Sequence, residues 1–232
     1  MKDENPIPAQ TQRLASLGFM LAAVCHEVSN PLAAVSSMLQ ILQSKRGVTP
    51  ETMEKGLASI AANVARVVAI TKKLGDYSRV GGEVPAAVAI DEAVEAAATL
   101  LRYSPCGRRV KVDYCGVPGV ATLARPGELE QVLLNVFLNA AQAMQGAGHI
   151  EARASRANGR IELAIRDTGP GIAPEHLERV FDPFFTTKPP GEGTGLGLAI
   201  SYEMVHQLGG SIQAANDPRG GARFSLFLPV NP

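Results

Sequence analysis

Apolar residues repeat every three or four positions in the first part of the chain, which is the spacing that lines one face of an α-helix. One repeat runs from Leu14 to Leu42, and a second runs from Met53 to Leu74 after a short polar break. Two long helices with a short connection predict an antiparallel hairpin. One hairpin leaves part of both apolar faces uncovered, so we expect residues 12–80 to form a homodimer with a four-helix bundle.

The first repeat has one irregularity, because two consecutive steps of four connect Val24, Val28 and Leu32. Pro31 lies within this stretch. A proline inside a helix removes a backbone hydrogen bond and costs about 3 kcal/mol. The pattern therefore predicts a local kink in an otherwise continuous helix.

A histidine occupies the outward face of the helix at this irregularity. His26 lies one turn before Asn30, on the same face. Histidine has an ordinary pKa of about 6.5, so a neutral ring nitrogen is available as a nucleophile near neutral pH. Glu27 is adjacent and can accept a hydrogen bond from the other ring nitrogen, which would fix the tautomer. An exposed histidine beside a glutamate is also a common surface feature.

Beyond a linker rich in glycine and proline the pattern becomes mixed, and short strands alternate with helices. Asn158-Gly159 is typical of a type I′ turn that joins two strands. The pattern predicts an α+β domain over residues 85–231, with a mixed sheet covered by helices on one side. Strands are predicted over 86–90, 109–115, 120–124, 149–157, 160–166, 211–215 and 222–228, and helices over 91–102, 126–144, 174–180 and 195–208.

Three groups of residues in this domain carry candidate chemistry. Asn135 and Asn139 lie one turn apart on a largely apolar helix. Their amide oxygens need partners, either neighbouring backbone groups or a Mg²⁺ ion that carries ATP phosphates. Asp167 ends a strand before a glycine-rich turn, where a carboxylate can accept a hydrogen bond from an amine such as that of adenine. A plain turn is the alternative.

The third group is a loop followed by a helix. Proline and glycine over residues 189–193 are typical of a mobile lid or of a plain surface loop. Alternating glycines then lead into a helix N-terminus, which is a ready site for phosphate. Lys188 can add positive charge there.

Together, and in this order, these motifs resemble the histidine kinases of two-component signalling from about Gln12 to Pro229. The stretch from His26 to Pro31 is similar to the phosphoacceptor box of that family. The stretch from Asn135 to Asn139 is similar to the N box of that family, and residues 167–171 are similar to its G1 box. Residues 181–185 are similar to its F box and residues 193–197 to its G2 box. The nitrogen-regulation subgroup looks most similar.

The resemblance implies a Bergerat-type ATP-binding fold after the helical hairpin. It implies that ATP phosphorylates His26 and that the phosphoryl group then passes to an aspartate of a response regulator receiver domain. Glu27 would assist the first step, and Asn30 would help to remove phosphate from the regulator. Adenine would bind Asp167, and Mg²⁺ would bind Asn139 with Asn135 beside it. The other nucleotide contacts implied are Gly169, Gly171, Thr187, Lys188, Gly193, Thr194, Gly195, Leu196 and Gly197.

Gln142 departs from what many histidine kinases carry, whereas Asn135 matches that family and differs only from the ATPase relatives. Gln142 stands where many relatives have a basic residue, so Lys188 or Arg179 would have to supply that charge. Asn135 stands where ATPase relatives have a glutamate that activates water, and an amide cannot act as a general base. Transfer is therefore expected rather than hydrolysis, although Glu128 stays open as a substitute base. A scaffold that binds nucleotide poorly is a further alternative.

Composition narrows the setting of this activity. Lysine plus arginine and aspartate plus glutamate number 22 each, so bulk charge points to no nucleic-acid partner and no anionic membrane surface. Three widely spaced cysteines favour a reducing cytoplasm. The apolar run from Leu17 to Val24 is far shorter than the roughly 20 residues that span a bilayer. We expect a cytoplasmic protein whose upstream sensor the sequence leaves unknown.

Overall fold

The structure is a computed structural model that describes residues 28–44, 49–79, 84–125, 127–157, 159–189, 193 and 195–231. The chain divides into two compact units, Met1–Ser78 and Arg79–Pro232. Within the described residues, no helix is long and apolar enough to cross a membrane. The residues of the predicted apolar repeat that precede Val28 lie outside the described residues.

The described part of the first unit contains helices α1, residues 28–43, and α2, Pro50–Arg79. Helix α2 begins at Pro50, directly after Thr49. The Thr49 hydroxyl accepts a hydrogen bond from the backbone N–H of Thr52 at 3.2 Å, and Pro50 has no N–H to satisfy. The first helix continues through Pro31, whose side chain is buried.

Helix α2 approaches α1 closely at Gly56. A Cβ atom there would lie 3.1 Å from both Cδ atoms of Leu42 and 3.3 Å from Sδ of Met38. The residues of the predicted apolar repeat on α1 therefore differ in burial. Leu32 and Leu39 belong to that repeat but are 49% and 42% exposed. The face of α1 that is at least half-buried comprises Val28, Pro31, Val35, Met38 and Leu42.

Helix α2 also carries an exposed apolar face. Its members recur at helical spacing and range from 42% to 58% exposed. Such a contiguous apolar face on a helix is typical of a surface that another chain covers. This face, called the α2 stripe below, comprises Met53, Leu57, Val64 and Val68.

The second unit has the predicted mixture of strands and helices. All seven predicted strands are present, and β2 has the predicted bounds. The elements in chain order are β1 Ala86–Ala89, α3 Ile90–Tyr103, β2 Arg109–Cys115, β3 Ala121–Ala124, α4 Glu128–Ala143, β4 Ala147–Ala157, β5 Arg160–Asp167, a 3₁₀ turn Pro174–His176, α5 Gly197–Gln207, β6 Ser211–Asn216 and β7 Ala222–Pro229.

Three predicted helices differ from the structure by two or more residues at one end, whereas α3 differs by one residue at each end. Helix α4 begins at Glu128 rather than 126, because Gly127 has a φ of +78°. Helix α5 begins at Gly197 rather than 195, because Gly195 has a φ of +63°. The helix predicted over 174–180 is wrong beyond one 3₁₀ turn, because bonds such as Arg179 N–H to the His176 carbonyl at 2.9 Å join residues three apart. Pro126 lies outside the described residues.

The predicted mixed sheet is confirmed. Five strands lie in the order β2-β4-β5-β7-β6, with β2 parallel to β4 and the remaining pairs antiparallel. Strands β1 and β3 form a separate antiparallel pair. The sheet packs against the helices around Phe137 of α4 and Ile165 of β5, both almost fully buried. The core therefore holds α4 rigidly beside the end of β5.

A buried carboxylate fixes the start of α4. Glu128 is 0% exposed, and its Oε2 accepts a hydrogen bond from the backbone N–H of Arg125 at 3.1 Å. Its Oε1 lies 3.6 Å from Nη1 of Arg125. The carboxylate thus satisfies a backbone donor ahead of the helix and sits at the favourable end of the helix dipole.

We predict that Glu128→Ala lowers the free energy of unfolding by about 2 kcal/mol, because it removes this hydrogen bond and leaves Arg125 without its buried partner. Urea unfolding followed by circular dichroism measures the change. Glu130→Ala is the matched control, because it removes a carboxylate from the same helical turn. Equal unfolding midpoints for the two variants would contradict the role given to Glu128.

Candidate functional site

Asp167 lies at the end of β5 and is 3% exposed. Its Oδ1 accepts hydrogen bonds from the backbone N–H groups of Gly169 at 2.8 Å and Ala222 at 3.2 Å. Burial raises the pKa of this carboxyl, and those two hydrogen bonds and the charge of Arg166 oppose the rise. Within the part of the chain that the structure describes, Oδ2 has no hydrogen-bond partner. It can therefore accept a hydrogen bond from a ligand amine.

The loop after Asp167 is held from the side of β4. The Thr168 hydroxyl accepts a hydrogen bond from the His149 N–H at 3.0 Å and donates one to Sδ of Met144 at 3.3 Å. A Cβ atom at Gly169 would lie 2.9 Å from Oδ1 of Asp167. The loop follows the carboxylate so closely that a side chain at Gly169 would press against the carboxylate.

Asn135 ties α4 to the first turn of α5. Its Nδ2 donates hydrogen bonds to the Gly197 carbonyl and to the Ser201 hydroxyl, both at 3.2 Å. Its Oδ1 accepts one from Nε2 of Gln131 at 3.2 Å. This geometry supports the alternative that the amide satisfies neighbouring polar groups. A metal contact by Asn135 stays a prediction.

Asn139, one turn further along α4, faces a cation. Nζ of Lys188 donates a hydrogen bond to Oδ1 of Asn139 at 3.2 Å and another to Oε1 of Gln142. An amide oxygen that faces a cation is a ligand type that Mg²⁺ accepts, so Asn139 fits the ion implied by the sequence. Lys188 thus brings its charge to Gln142, the position at which the family resemblance led us to expect a basic residue.

Arg179, the other candidate to supply a positive charge at Gln142, has different partners. Its guanidinium stacks 4.6 Å from the centre of the Phe185 ring, and its Nε lies 3.6 Å from Oδ2 of Asp182. Of the two candidates, Lys188 is the one that reaches Gln142.

A cavity of about 350 Å³ opens beside Lys188 and is also lined by Arg108 and Arg109. Among the described residues, neither guanidinium has a hydrogen-bond or ion-pair partner. The lining contains no carboxylate. Its charge is therefore positive, which suits phosphate oxygens.

The two ends of the loop over residues 185–194 are joined. The N–H of Phe184 donates a hydrogen bond to the Gly195 carbonyl at 3.0 Å. A Cβ atom at Gly195 would lie within 2.3 to 2.6 Å of three backbone atoms of Phe184, so only glycine fits there. This contact fixes the spacing between the loop that carries Lys188 and the start of α5. Gly193 packs against the loop, because a Cβ there would lie 2.7 Å from Oγ1 of Thr186.

The remaining site residues lie as follows. Thr187 is exposed on the loop, and Leu196 is buried just before α5. Asn30 is exposed on α1. His26, Glu27 and Thr194 lie outside the described residues.

Glu128, left open as a substitute base, is remote from Asn139. The two are eleven residues apart on α4, which corresponds to roughly 16 Å along a helix. Its carboxylate is buried against Arg125. Glu128 is therefore not placed to activate water at this site.

The sequence did not point to the residues between β6 and β7. Asn216 contacts Ile172 from 44 residues away in the chain, and the N–H of Ala222 contacts the Asp167 carboxylate from 55 residues away. The sequence indicates only a turn there. Gly220-Gly221 is the one visible signal, because adjacent glycines permit close backbone approach.

Residues 16–83 match the family profile of the His Kinase A (phospho-acceptor) domain. Residues 124–232 match that of the histidine kinase-, DNA gyrase B-, and HSP90-like ATPase. His26 falls in the first range, and Asn139, Asp167 and Lys188 fall in the second.

The chain is similar along most of its length to curated sensor kinases. It is 34% identical to the sensor histidine kinase ZraS of Escherichia coli O157:H7 over 223 residues, which cover 95% of this chain and 48% of that protein. It is 38% identical to the C4-dicarboxylate transport sensor protein DctB of Rhizobium meliloti (strain 1021), with 91% of this chain and 34% of that protein covered. The chain thus spans half or less of the length of these relatives.

Solved structures of histidine kinases are similar as well. Histidine kinase ThkA in complex with the response regulator protein TrrA aligns with a TM-score of 0.70 and 25% identity, over 97% of this chain and 65% of that chain. Full-length ShkA in complex with AMPPNP aligns with a TM-score of 0.61 and 29% identity, over 90% of this chain and 45% of that chain. The nitrogen-regulation subgroup stays a prediction. A phospho-acceptor domain followed by an ATPase-type domain, and relatives that match nearly the whole chain, show that this protein belongs to the sensor histidine kinases.

Proposed function

We propose that this chain is an ATP-dependent protein histidine kinase that phosphorylates its own His26 and passes the phosphoryl group to an aspartate of a response regulator. The observation that carries the proposal is the match of residues 16–83, which include His26, to a phospho-acceptor domain ahead of an ATPase-type domain. The contacts around Asp167, Asn139 and Lys188 support a nucleotide site in that second domain.

Each of these three side chains has a role in binding ATP. Oδ2 of Asp167 accepts a hydrogen bond from the exocyclic amine of adenine. Asn139 holds Mg²⁺, which when bound neutralises part of the phosphate charge. Lys188 donates to phosphate oxygens from its position on Gln142, and Arg108 and Arg109 extend the positive charge beside it. Catalysis then depends mainly on positioning and on charge.

The transfer step forms one bond and breaks one. A ring nitrogen of His26 attacks the γ-phosphorus with its lone pair, and the bond between that phosphorus and the β–γ bridging oxygen breaks. The electrons of that bond stay with the oxygen, and ADP leaves. Glu27 accepts a hydrogen bond from the other ring nitrogen and stabilises the positive charge that develops on the imidazole.

Asn135 favours transfer to histidine over hydrolysis. Its amide hydrogen bonds to Gly197 and Ser201 make it a structural link between α4 and α5, and it has no basic oxygen for water. General-base help is typically worth 10²–10⁴-fold, so water competes poorly for the γ-phosphate.

The proposed partner is a response regulator receiver domain. Support comes from the similarity to ThkA, whose structure was solved in complex with the response regulator protein TrrA. Asn30 is exposed on α1, where its amide can orient water toward a partner's phosphoaspartate. We also propose a cytoplasmic location, because such a receiver acts there. The nitrogen-regulation subgroup is part of this proposal.

We predict that His26→Gln abolishes acid-labile labelling by radioactive ATP and changes ATP affinity by less than about twofold, because nucleophile and nucleotide pocket lie in different domains. Labelling and calorimetric titration with ATP and Mg²⁺ measure the two effects. Persistent labelling of the variant would remove His26 as the acceptor. Absence of ATP binding by the wild type would favour a scaffold, and rapid phosphate release that survives in His26→Gln would favour an ATPase.

We predict that Lys188→Ala slows labelling of His26 by about tenfold or more, the scale of one lost charged contact to the reacting group. Adding Gln142→Lys to that variant should restore much of the rate, because the charge returns to the same place on α4. The initial rate of labelling at saturating ATP is the measurement. Lys111→Ala, at an exposed position of β2, controls for net charge. A double variant no faster than Lys188→Ala would contradict the shared role.

We predict that the protein is a homodimer, with light scattering giving twice the mass of 24.4 kDa. Leu57→Glu with Val64→Glu should produce a monomer, because two buried charges in the α2 stripe cost several kcal/mol. Ala58→Glu with Ala65→Glu is the matched control, because it places the same charges at the same spacing on exposed positions outside the stripe. Dissociation of both variants, or of neither, would argue against the stripe as the interface.

A further inference from the structure

A single side chain holds both backbone groups of Ile172. Oδ1 of Asn216 accepts a hydrogen bond from the Ile172 N–H at 2.7 Å, and Nδ2 of Asn216 donates one to the Ile172 carbonyl at 2.7 Å. Exchanging the oxygen and nitrogen of the amide would pair donor with donor and acceptor with acceptor, which fixes its orientation. Asn216 ends β6, and Ile172 ends the loop that begins at Asp167, called the Asp167 loop below.

The turn that begins at Asn216, residues 216–222, lies close against the Asp167 loop. A Cβ atom at Gly221 would lie 1.9 Å from the Asp167 carbonyl oxygen, so only glycine fits there. The next residue, Ala222, donates its N–H to Oδ1 of Asp167 at 3.2 Å. On the loop side, Gly171 has a φ of +81°, and a Cβ there would lie 2.7 Å from Oδ1 of Asn216. This turn, called the β6–β7 turn below, and the loop therefore fit each other at both ends.

Arg166 fixes the outer side of the same turn to β5. Its Nε donates a hydrogen bond to the Gly220 carbonyl at 3.0 Å, and its Nη2 donates one to the Arg219 carbonyl at 3.2 Å. Nε also lies 3.3 Å from Oδ1 of Asp217. The β6–β7 turn is thus a rigid support against which Asn216 can hold the loop.

We propose that Asn216 is a positioning residue of the nucleotide site, and that the β6–β7 turn sets where the Asp167 carboxylate meets adenine. The inference rests on the proposed function, because it takes Asp167 as the adenine contact. Asn216 bonds to backbone groups of the loop, and it acts through Asp167.

The path from Asn216 to the base is short. The loop spans five peptide bonds from Asp167 to Ile172, and β5 already fixes its first residue. Asn216 fixes the last residue, and the Gly169 N–H between them holds the carboxylate at 2.8 Å. Without the clamp at Ile172 the Gly169–Gly171 segment gains freedom, because glycines resist motion least. The carboxylate then loses its fixed direction, and hydrogen bonds weaken steeply with angle.

The test compares ATP with inosine triphosphate, which carries a carbonyl where adenine has its exocyclic amine. In Asn216→Ala of the full chain we expect ATP affinity to fall about tenfold, the scale of one hydrogen bond, with inosine triphosphate affinity unchanged. In labelling assays the KM for ATP should rise while the rate at saturating ATP stays the same. Asn216→Asp keeps the acceptor for the Ile172 N–H. Its affinity for ATP should therefore lie between those of the wild type and Asn216→Ala.

Gln213→Ala is the control, because Gln213 is exposed on the same strand three residues before the clamp. It should bind both nucleotides as the wild type does. Asn216→Ala overturns the inference if it binds ATP as tightly as the wild type, or if both nucleotides lose affinity equally, since a purely structural defect would give that result. A wild type that does not bind ATP would contradict the proposed function instead.

Discussion

The architecture of the second unit follows from one buried charge, the carboxylate of Asp167. A buried carboxylate is costly unless hydrogen bonds compensate it. Here two backbone N–H groups do so, one from Gly169 and one from Ala222. Because these donors come from two separate turns, both turns must approach the end of β5 closely. The close contact of Gly221 with the Asp167 carbonyl is the result. Among the described residues, Oδ2 of Asp167 has no hydrogen-bond partner.

Helix α4 is the second constraint on the site, because residues one turn apart on it form hydrogen bonds with different elements. Asn135 bonds to the first turn of α5, whereas Asn139 and Gln142 bond to Lys188 on the loop before that helix. The same helix thus holds the start of α5 in place and orients the ammonium group of Lys188. The rigidity of α4 comes from its buried face around Phe137, so packing in the core controls the geometry of the charged side.

The sequence predicted what depends on local pattern. Alternating polarity indicated β2, β4 and β5, and the helical repeat indicated α2, because each of these elements buries mainly one face. The starts of two helices were wrong, because Gly127 and Gly195 adopt positive φ that no hydrophobic pattern reveals. The clamp by Asn216 was invisible as well. Its partner Ile172 lies 44 residues away, and an asparagine before a turn has many local uses.

Lys188 and Gln142 show how a loop residue can bring a positive charge to the face of a helix. A lysine on α4 would be oriented by the helix itself, whereas Lys188 must be oriented on a loop. Its backbone N–H donates to the Thr186 hydroxyl at 3.2 Å, and its ammonium donates to Asn139 and Gln142. A lysine side chain loses about 2 kcal/mol of rotamer entropy when it is fixed, so these contacts must offset that cost. Gln142 therefore has a structural role of its own, because its amide oxygen accepts a hydrogen bond that orients the Lys188 ammonium.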